Sequence, residues 1–341
     1  MVDRLICQAI AQVLTPIFDP NFHPHSFGFR PGRSQHHAVE RARQFIANDA
    51  AWCVDLDLDS FFDRAARRFD GQGRTTGPRQ AGAGLIRRYL EAGVMDGGLV
   101  AASEEGTPQG SPLSPLLSNV MLDDLDWELD RRGHRFVRFA DDGRIYVQSR
   151  RAGERVMESI TQYIEQRLKL RVSRQKSAVA PAVQRPLLGF RFFRDKAGKV
   201  RVTVAPKALK RAEDRLRELT TRNWGVSMER RVKEINRFTV GWTAYFALAD
   251  TVLPFEKLEK WLRRRLRQVR WKEWKRPQTR YRNLRALGIS GRDARSWAAS
   301  QKGYWRVAGS WPLQRALPNA YWHKTMGLKG FTDPYRRFRG C

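Results

Sequence analysis

Apolar side chains recur at helical spacing near the start of the chain, where Leu5, Ile6, Ala9, Ile10, Val13, Leu14 and Ile17 make one stripe. This predicts a helix over residues 4–17, ended by Pro20 and Pro24. The stretch Ser26-Phe-Gly-Phe-Arg-Pro-Gly-Arg33 reads as a loop, followed by a helix over residues 36–47. From Cys53 the pattern changes to strict alternation. Val54, Leu56 and Leu58 fall on one face and Asp55, Asp57 and Asp59 on the other, so 52–58 is predicted as a half-buried strand with a carboxylate row. Residues 64–84 lose all apolar periodicity and read as a poorly ordered or damaged segment. Residues 103–119 read as a Pro- and Gly-punctuated loop, running into a helix marked by Leu117, Met121, Leu125 and Leu129. Residues 135–148 read as two strands joined at Asp141-Asp142-Gly143, a hairpin-turn signal. An amphipathic helix follows, carried by Val156, Met157, Ile160, Tyr163, Ile164 and Leu168, and then short strands near 187–193 and 199–204. Beyond them only helical spacing remains, and a domain boundary is expected near 205.

Charge divides the chain at the same place. The 341 residues carry 64 Lys+Arg against 35 Asp+Glu, a net of +29. Residues 1–200 hold only +6 of this, while residues 201–341 hold +23 and nine of the eleven tryptophans. A basic, aromatic-rich half joined to a nearly balanced half points to a polyanion partner, nucleic acid first, and to separate chemistry in the balanced half. No apolar run reaches the ~18 residues of a membrane helix, so no membrane partner is expected. The start lacks the apolar core of a secretory signal. Cys7, Cys53 and Cys341 are an odd, scattered set with no finger spacing, which fits a reducing interior and a cytoplasmic location.

The chemistry is expected at carboxylates held by strands. If the strand of Asp57 and the hairpin of Asp141 and Asp142 lie side by side, three carboxylates converge, and hard oxygen donors at that density suit Mg²⁺. Two such ions support in-line phosphoryl transfer. The plain alternative is that Asp59 caps a helix and Asp142-Gly143 only makes a turn; spacing does not choose among Asp55, Asp57 and Asp59. His23, His25, His36 and His37 are read as structural or surface residues, with no zinc site.

Several blocks then resemble one family. Phe139-Ala-Asp-Asp142 between apolar strands resembles the (Tyr/Phe)-x-Asp-Asp box of reverse transcriptases, and Asp57-Leu-Asp-Ser-Phe-Phe-Asp63 resembles their first catalytic strand. Phe27-Gly-Phe-Arg-Pro-Gly-Arg-Ser34, Gly106-Thr-Pro-Gln-Gly-Ser-Pro-Leu-Ser-Pro115 and Leu188-Gly-Phe190 resemble adjoining blocks of group II intron-encoded reverse transcriptases. Gly241-Trp-Thr-Ala-Tyr-Phe246 and Trp271-Lys-Glu-Trp-Lys275 resemble their thumb and maturase region.

The resemblance implies an α+β right-hand polymerase palm, an antiparallel sheet with packed helices and partial fingers, over 1–205. An all-helical thumb and maturase-type RNA-binding region would follow over 206–341. It implies RNA-directed DNA polymerisation with a maturase role in group II intron splicing and mobility. The cofactors would be two Mg²⁺ ions, with Mn²⁺ as a substitute, and the partners structured intron RNA, an RNA template with a DNA primer, and dNTPs. Asp57, Asp141 and Asp142 match the catalytic, metal-binding residues. Phe62 matches the aromatic under the incoming sugar, Gln109 a nucleotide contact, and Lys176 a basic residue near primer and template. Arg30 and Arg33 could supply guanidinium contacts to a triphosphate. Lys260, Arg263, Arg264, Arg267 and Arg270, on one predicted helix, form the expected phosphate-tracking face for RNA.

Two departures accompany the likeness. Relatives carry fingers blocks before the equivalent of Leu5, and an N-terminally truncated copy is expected. Residues 64–84 keep the family's length without its character, as a compensated frameshift would leave them, with the likeness resuming at Leu85. Three readings follow: the polymerase, an RNA-binding splicing factor of weak or lost catalysis, and a two-metal nuclease, against which the Phe62 gate and Gln109 loop argue.

Overall fold

The computed structural model describes residues 2–59, 94–96, 99–101 and 112–340. The chain forms two compact units, one of residues 1–188 with 192–200 and the other of residues 189–191 with 201–341.

The first unit opens with α1 (Val2–Phe18) and α2 (Gln35–Ala47), the latter capped by Ser34, whose hydroxyl accepts the His37 N–H. Its sheet has the order β5-β6-β1-β8 and is antiparallel throughout, built from β1 (Trp52–Leu56), β5 (Arg135–Phe139), β6 (Asp142–Val147) and β8 (Ala178–Pro181). Between them run β2 (Leu58–Asp59), which pairs with β7 (Arg171–Val172), and the hairpin β3 (Val94–Asp96) with β4 (Leu99–Ala101). The helices α3 (Ser114–Arg131) and α4 (Arg150–Gln166) contribute Leu122, Leu125, Leu129, Ile160 and Ile164 to a core with Val54, Leu56, Phe136 and Ile145. A second cluster joins Cys7, Leu14 and Phe18 of α1 to Leu113, Leu116 and Leu117.

Three sequence expectations shift here. The carboxylate strand does not run through 58: Asp57 breaks it, because its N–H donates to Ser177 Oγ at 3.1 Å and its carbonyl accepts the Ser173 N–H at 2.8 Å. Those bonds leave the ladder and pass the chain to a different strand partner. The row is also not a solvated face, since Asp55 is buried. Helix α3 starts at Ser114, inside the expected loop, because Pro115 is tolerated in a first turn. The segment 64–84, Phe62 and Gln109 lie outside the described residues.

The second unit is helical apart from its share of the hairpin β9 (Phe190–Arg194) and β10 (Val200–Val204). Helices α5 (Pro206–Leu219), α6 (Met228–Phe246) and α7 (Leu253–Glu273) are followed by α8 (Pro277–Ala286), α9 (Gly291–Ala298), α10 (Tyr304–Ala308), α11 (Trp311–Ala316) and α12 (Thr332–Arg339). Helix α7 is central, burying Phe255, Leu258, Leu262, Leu266, Val269 and Trp271. Trp242 packs its ring against Phe246, Phe255 and Phe331. Trp271, Trp274 and Trp322 are buried core residues of this half, while Trp305 and Trp311 are exposed.

Candidate active site

The hairpin carrying the paired aspartates is tight. Phe139 pairs with Asp142, so the turn is Ala140-Asp141, one residue earlier than the Asp-Gly signal predicts, and Ala140 takes φ +58°. A left-handed alanine needs support from its surroundings. That support comes from residues 25–28, which run beside β5. The Phe27 N–H donates to the Arg138 carbonyl at 2.9 Å, and the Arg138 N–H donates to the His25 carbonyl at 3.0 Å. Gly28 then sits so close that a Cβ there would lie 2.4 Å from the Ala140 nitrogen. Beneath the turn the buried Arg138 guanidinium grips both oxygens of buried Asp126, and also donates to Asn119 Oδ1, Ser26 Oγ and the Ala140 carbonyl. An apolar strand position occupied by a fully satisfied arginine thus sets the height of the turn.

Beside the turn lies a pocket of about 290 Å³ lined by Asp55, Asp57, Asp141, Asp142, Arg144, Lys176 and Arg185, with Leu56 and Leu58. The register brings the groups together: Leu56 faces Gly143 and Asp55 faces Arg144 across β1 and β6, so the end of β1 before Asp57 meets the start of β6 after Asp142. Asp57 is half exposed, with Lys176 Nζ 3.5 Å from its Oδ1. Asp142 Oδ1 lies 2.8 Å from Arg144. Burial, followed by the charges of Asp141 and Asp57, pushes the Asp142 carboxyl up to about 6, with Arg185 opposing. These carboxylates therefore feel each other's charge, the condition a divalent cation relieves. Among the described residues no trio of His, Cys, Asp or Glu is closed around a metal position. The donor set nonetheless fits Mg²⁺, which keeps several waters and needs one or two carboxylates rather than a protein cage.

Other expected site residues are placed differently. Arg30 is buried, donating to Asp19 Oδ1 at 2.7 Å and to the carbonyls of Asp19, His23 and Ser26. Its donors are engaged inside the protein, where they tie the loop 19–30 together. Arg33 donates to the Pro24 carbonyl. Of the expected RNA-facing cations on α7, Lys260 alone is exposed. Arg267 is buried and donates to the Ala308 carbonyl at 2.9 Å. Arg263 pairs with buried Glu259, Arg270 with Glu273, and Arg264 lies over the Trp305 ring. Most of that row is internal wiring of the second unit, because α7 is enclosed rather than peripheral. His23 and His25 pack against Phe136, and His25 Nε2 accepts from Arg41.

Sequence reasoning missed one group of residues. Asp55 pairs with both Arg144 and Arg185, with Arg185 Nε at 2.8 Å. The signal was present in Asp55 and Arg144, ionic residues in otherwise apolar strand segments, but without the register nothing showed that they face each other.

Residues 1–192 match the family described as reverse transcriptase (RNA-dependent DNA polymerase), and residues 209–288 match the maturase-specific domain of group II introns. The chain is 35% identical over 142 residues to protein YkfC of Escherichia coli, covering 38% of this chain and 35% of that protein. It is 34% identical over 125 residues to the group II intron-encoded protein LtrA of Lactococcus lactis, covering 36% of this chain and 21% of that protein. The matched region thus spans about a third or less of these relatives. A telomerase structure from Candida albicans with telomeric RNA aligns over 87% of this chain and 56% of that one, at 10% identity and a TM-score of 0.36. With a reverse transcriptase match over more than half its length, followed by a maturase-specific match, the chain belongs to the reverse transcriptase family of the group II intron type.

Proposed function

We propose that the protein is an RNA-directed DNA polymerase of a group II intron, with a maturase role in splicing and mobility. The observation that carries this reading is one pocket lined by Asp57, just past the end of β1, and by Asp141 and Asp142, at the neighbouring hairpin turn, within a reverse transcriptase match. Asp57, Asp141 and Asp142 offer carboxylates to divalent ions, with Asp142 also paired to Arg144. Two Mg²⁺ ions bound there, or Mn²⁺ in their place, would activate a primer 3′-hydroxyl and stabilise the leaving pyrophosphate. Lys176, beside Asp57, is placed to turn to a triphosphate oxygen. Phe62 and Gln109 keep the roles their motifs imply, as sugar gate and nucleotide contact. The palm with partial fingers and the thumb are the parts assigned to the two units. Structured intron RNA, an RNA template with a DNA primer, and dNTPs are the partners. Among the described residues no helix is long and apolar enough to cross a membrane, and the work is assigned to the cytoplasm.

The test is primer extension on an RNA template, comparing the protein with Asp141→Ala. Extension abolished by the substitution supports the polymerase. RNA binding without extension by either protein supports a splicing factor that has lost catalysis, and metal-dependent cleavage of the template supports a nuclease.

A further inference from the structure

Beside the carboxylates, in the same pocket, lies a second set of charges that the polymerase reading does not use. Asp55, buried in β1, stands opposite Arg144 in β6, and its two oxygens are divided between two guanidiniums: Oδ1 takes Arg144, Oδ2 takes Arg185. The same Arg144 nitrogen that meets Asp55 also reaches Asp142 Oδ1 at 2.8 Å. Arg144 is itself buried; its Nη2 is 3.5 Å from the Pro186 carbonyl, and its Nε is buried without a hydrogen-bond partner. Arg185 further reaches the Lys176 carbonyl at 3.4 Å, joining this layer to the residue beside Asp57. The chain of contacts is Arg185, Asp55, Arg144, Asp142, with two cations against one buried anion.

We infer that Arg144, held by Asp55, is a built-in countercharge that positions Asp142 and sets how tightly the site takes a divalent cation. The layer contributes one net positive charge next to the carboxylates. Arg144 supplies it through an ion pair that engages one Asp142 oxygen at the edge of the pocket both residues line. Without this device Asp142 would be free to swing forward as a third full ligand, and cation affinity would rise. Asp55 offsets one of the two guanidinium charges and so limits the positive charge that reaches Asp142. Arg144 and Asp55 act through Asp142 and are positioning residues, not catalytic ones.

The inference rests on the metal-dependent reading above, and its test separates the two. Mn²⁺ binding is measured on the free protein by electron paramagnetic resonance, without primer, template or nucleotide, for wild type, R144Q, D55N and D55N/R144Q. Affinity is expected to follow the net charge of the layer. R144Q, which removes the positive charge, tightens binding by about three- to tenfold. D55N, which leaves two uncompensated cations, weakens it by a similar factor, and the double variant returns close to wild type. Equal affinity in all four proteins, or the opposite order, overturns the inference and leaves the polymerase reading standing. A wild-type protein that binds no Mn²⁺ overturns both. If circular dichroism shows R144Q to be unfolded, D55N and the double variant decide: weakening in one with restoration in the other supports the assignment, and no difference overturns it.

Discussion

Glu259 accepts the backbone N–H of Thr332 at 2.8 Å across 73 residues of chain. The same carboxylate takes the Phe331 N–H at 3.0 Å and the Thr332 hydroxyl, so a side chain of α7 acts as an N-terminal cap for α12. Burial alone would raise this carboxyl. Hydrogen bonds from His323, Thr332 and the two amides overcome it and hold the group at about 2.

The sign of the pH dependence follows. Glu259 stabilises the second unit fully above pH ~4.5, and that stability is lost as pH falls toward 2. His323, raised by its bond to Glu259, adds stability that is present below pH ~6.5 and lost as pH rises through its folded value. E259Q is expected to cost roughly 3 kcal/mol near neutrality and to flatten the acid limb below pH 4.5. Urea unfolding followed by tryptophan fluorescence across pH 2–8 measures both.

The segment 25–28 is expected to govern the Ala140-Asp141 turn through its backbone contacts. G28A forces a Cβ onto the Ala140 backbone, and neither side is a flexible side-chain end that can yield. R138M strands buried Asp126 without its partner, at a cost of about 3–5 kcal/mol. Both variants should lose thermal stability and primer extension together. A variant that keeps full stability but loses extension would contradict the supporting role.

Two cations on one helix should behave differently toward RNA. K260Q removes an exposed charge and is expected to reduce the slope of log affinity against log salt by about 0.7–0.9 for one lost phosphate contact. R267Q instead breaks the buried bond to the Ala308 carbonyl, lowering stability while leaving the salt slope unchanged. Filter binding at several salt concentrations, beside thermal melts, distinguishes them.

Asp142 should trade stability for function. Its carboxyl is raised from 3.8 to about 6, so without metal the fold loses stability as pH rises between those values and does not recover it at neutrality. D142N removes that burden. After discounting for partial exposure, it should stabilise the metal-free protein at pH 7 by about 1 kcal/mol while extension collapses. Melting curves with and without Mg²⁺ give the first result, and a lower melting temperature for D142N would oppose it.

Much of this could be read from the chain itself. The apolar stripe of α1 and the alternation around Val54 and Leu56 reflect one element against one core, and such patterns are local. Asp57 and the Asp141-Asp142 pair stood out because carboxylates are rare in apolar strands, although the pairing of β1 with β6 that gathers them needed the sheet. Arg30 and Arg267 show the limit. A sequence displays a positive charge but not where its guanidinium ends, and both arginines end on carbonyls inside the protein. The break at Asp57 was hidden for a similar reason, since Ser173 and Ser177, which draw the backbone aside, lie more than a hundred residues away.

The contact of Gly28 with Ala140 bears on how tolerance to mutation will be distributed along this chain. A saturation scan scored by activity should show Ser26, Gly28, Asn119 and Arg138 to be as intolerant as Asp57 and Asp141, giving one undivided set of essential positions. Scoring the same library by abundance should split that set: variants of the first group vanish from the cell, while variants of the two aspartates accumulate as folded, silent protein.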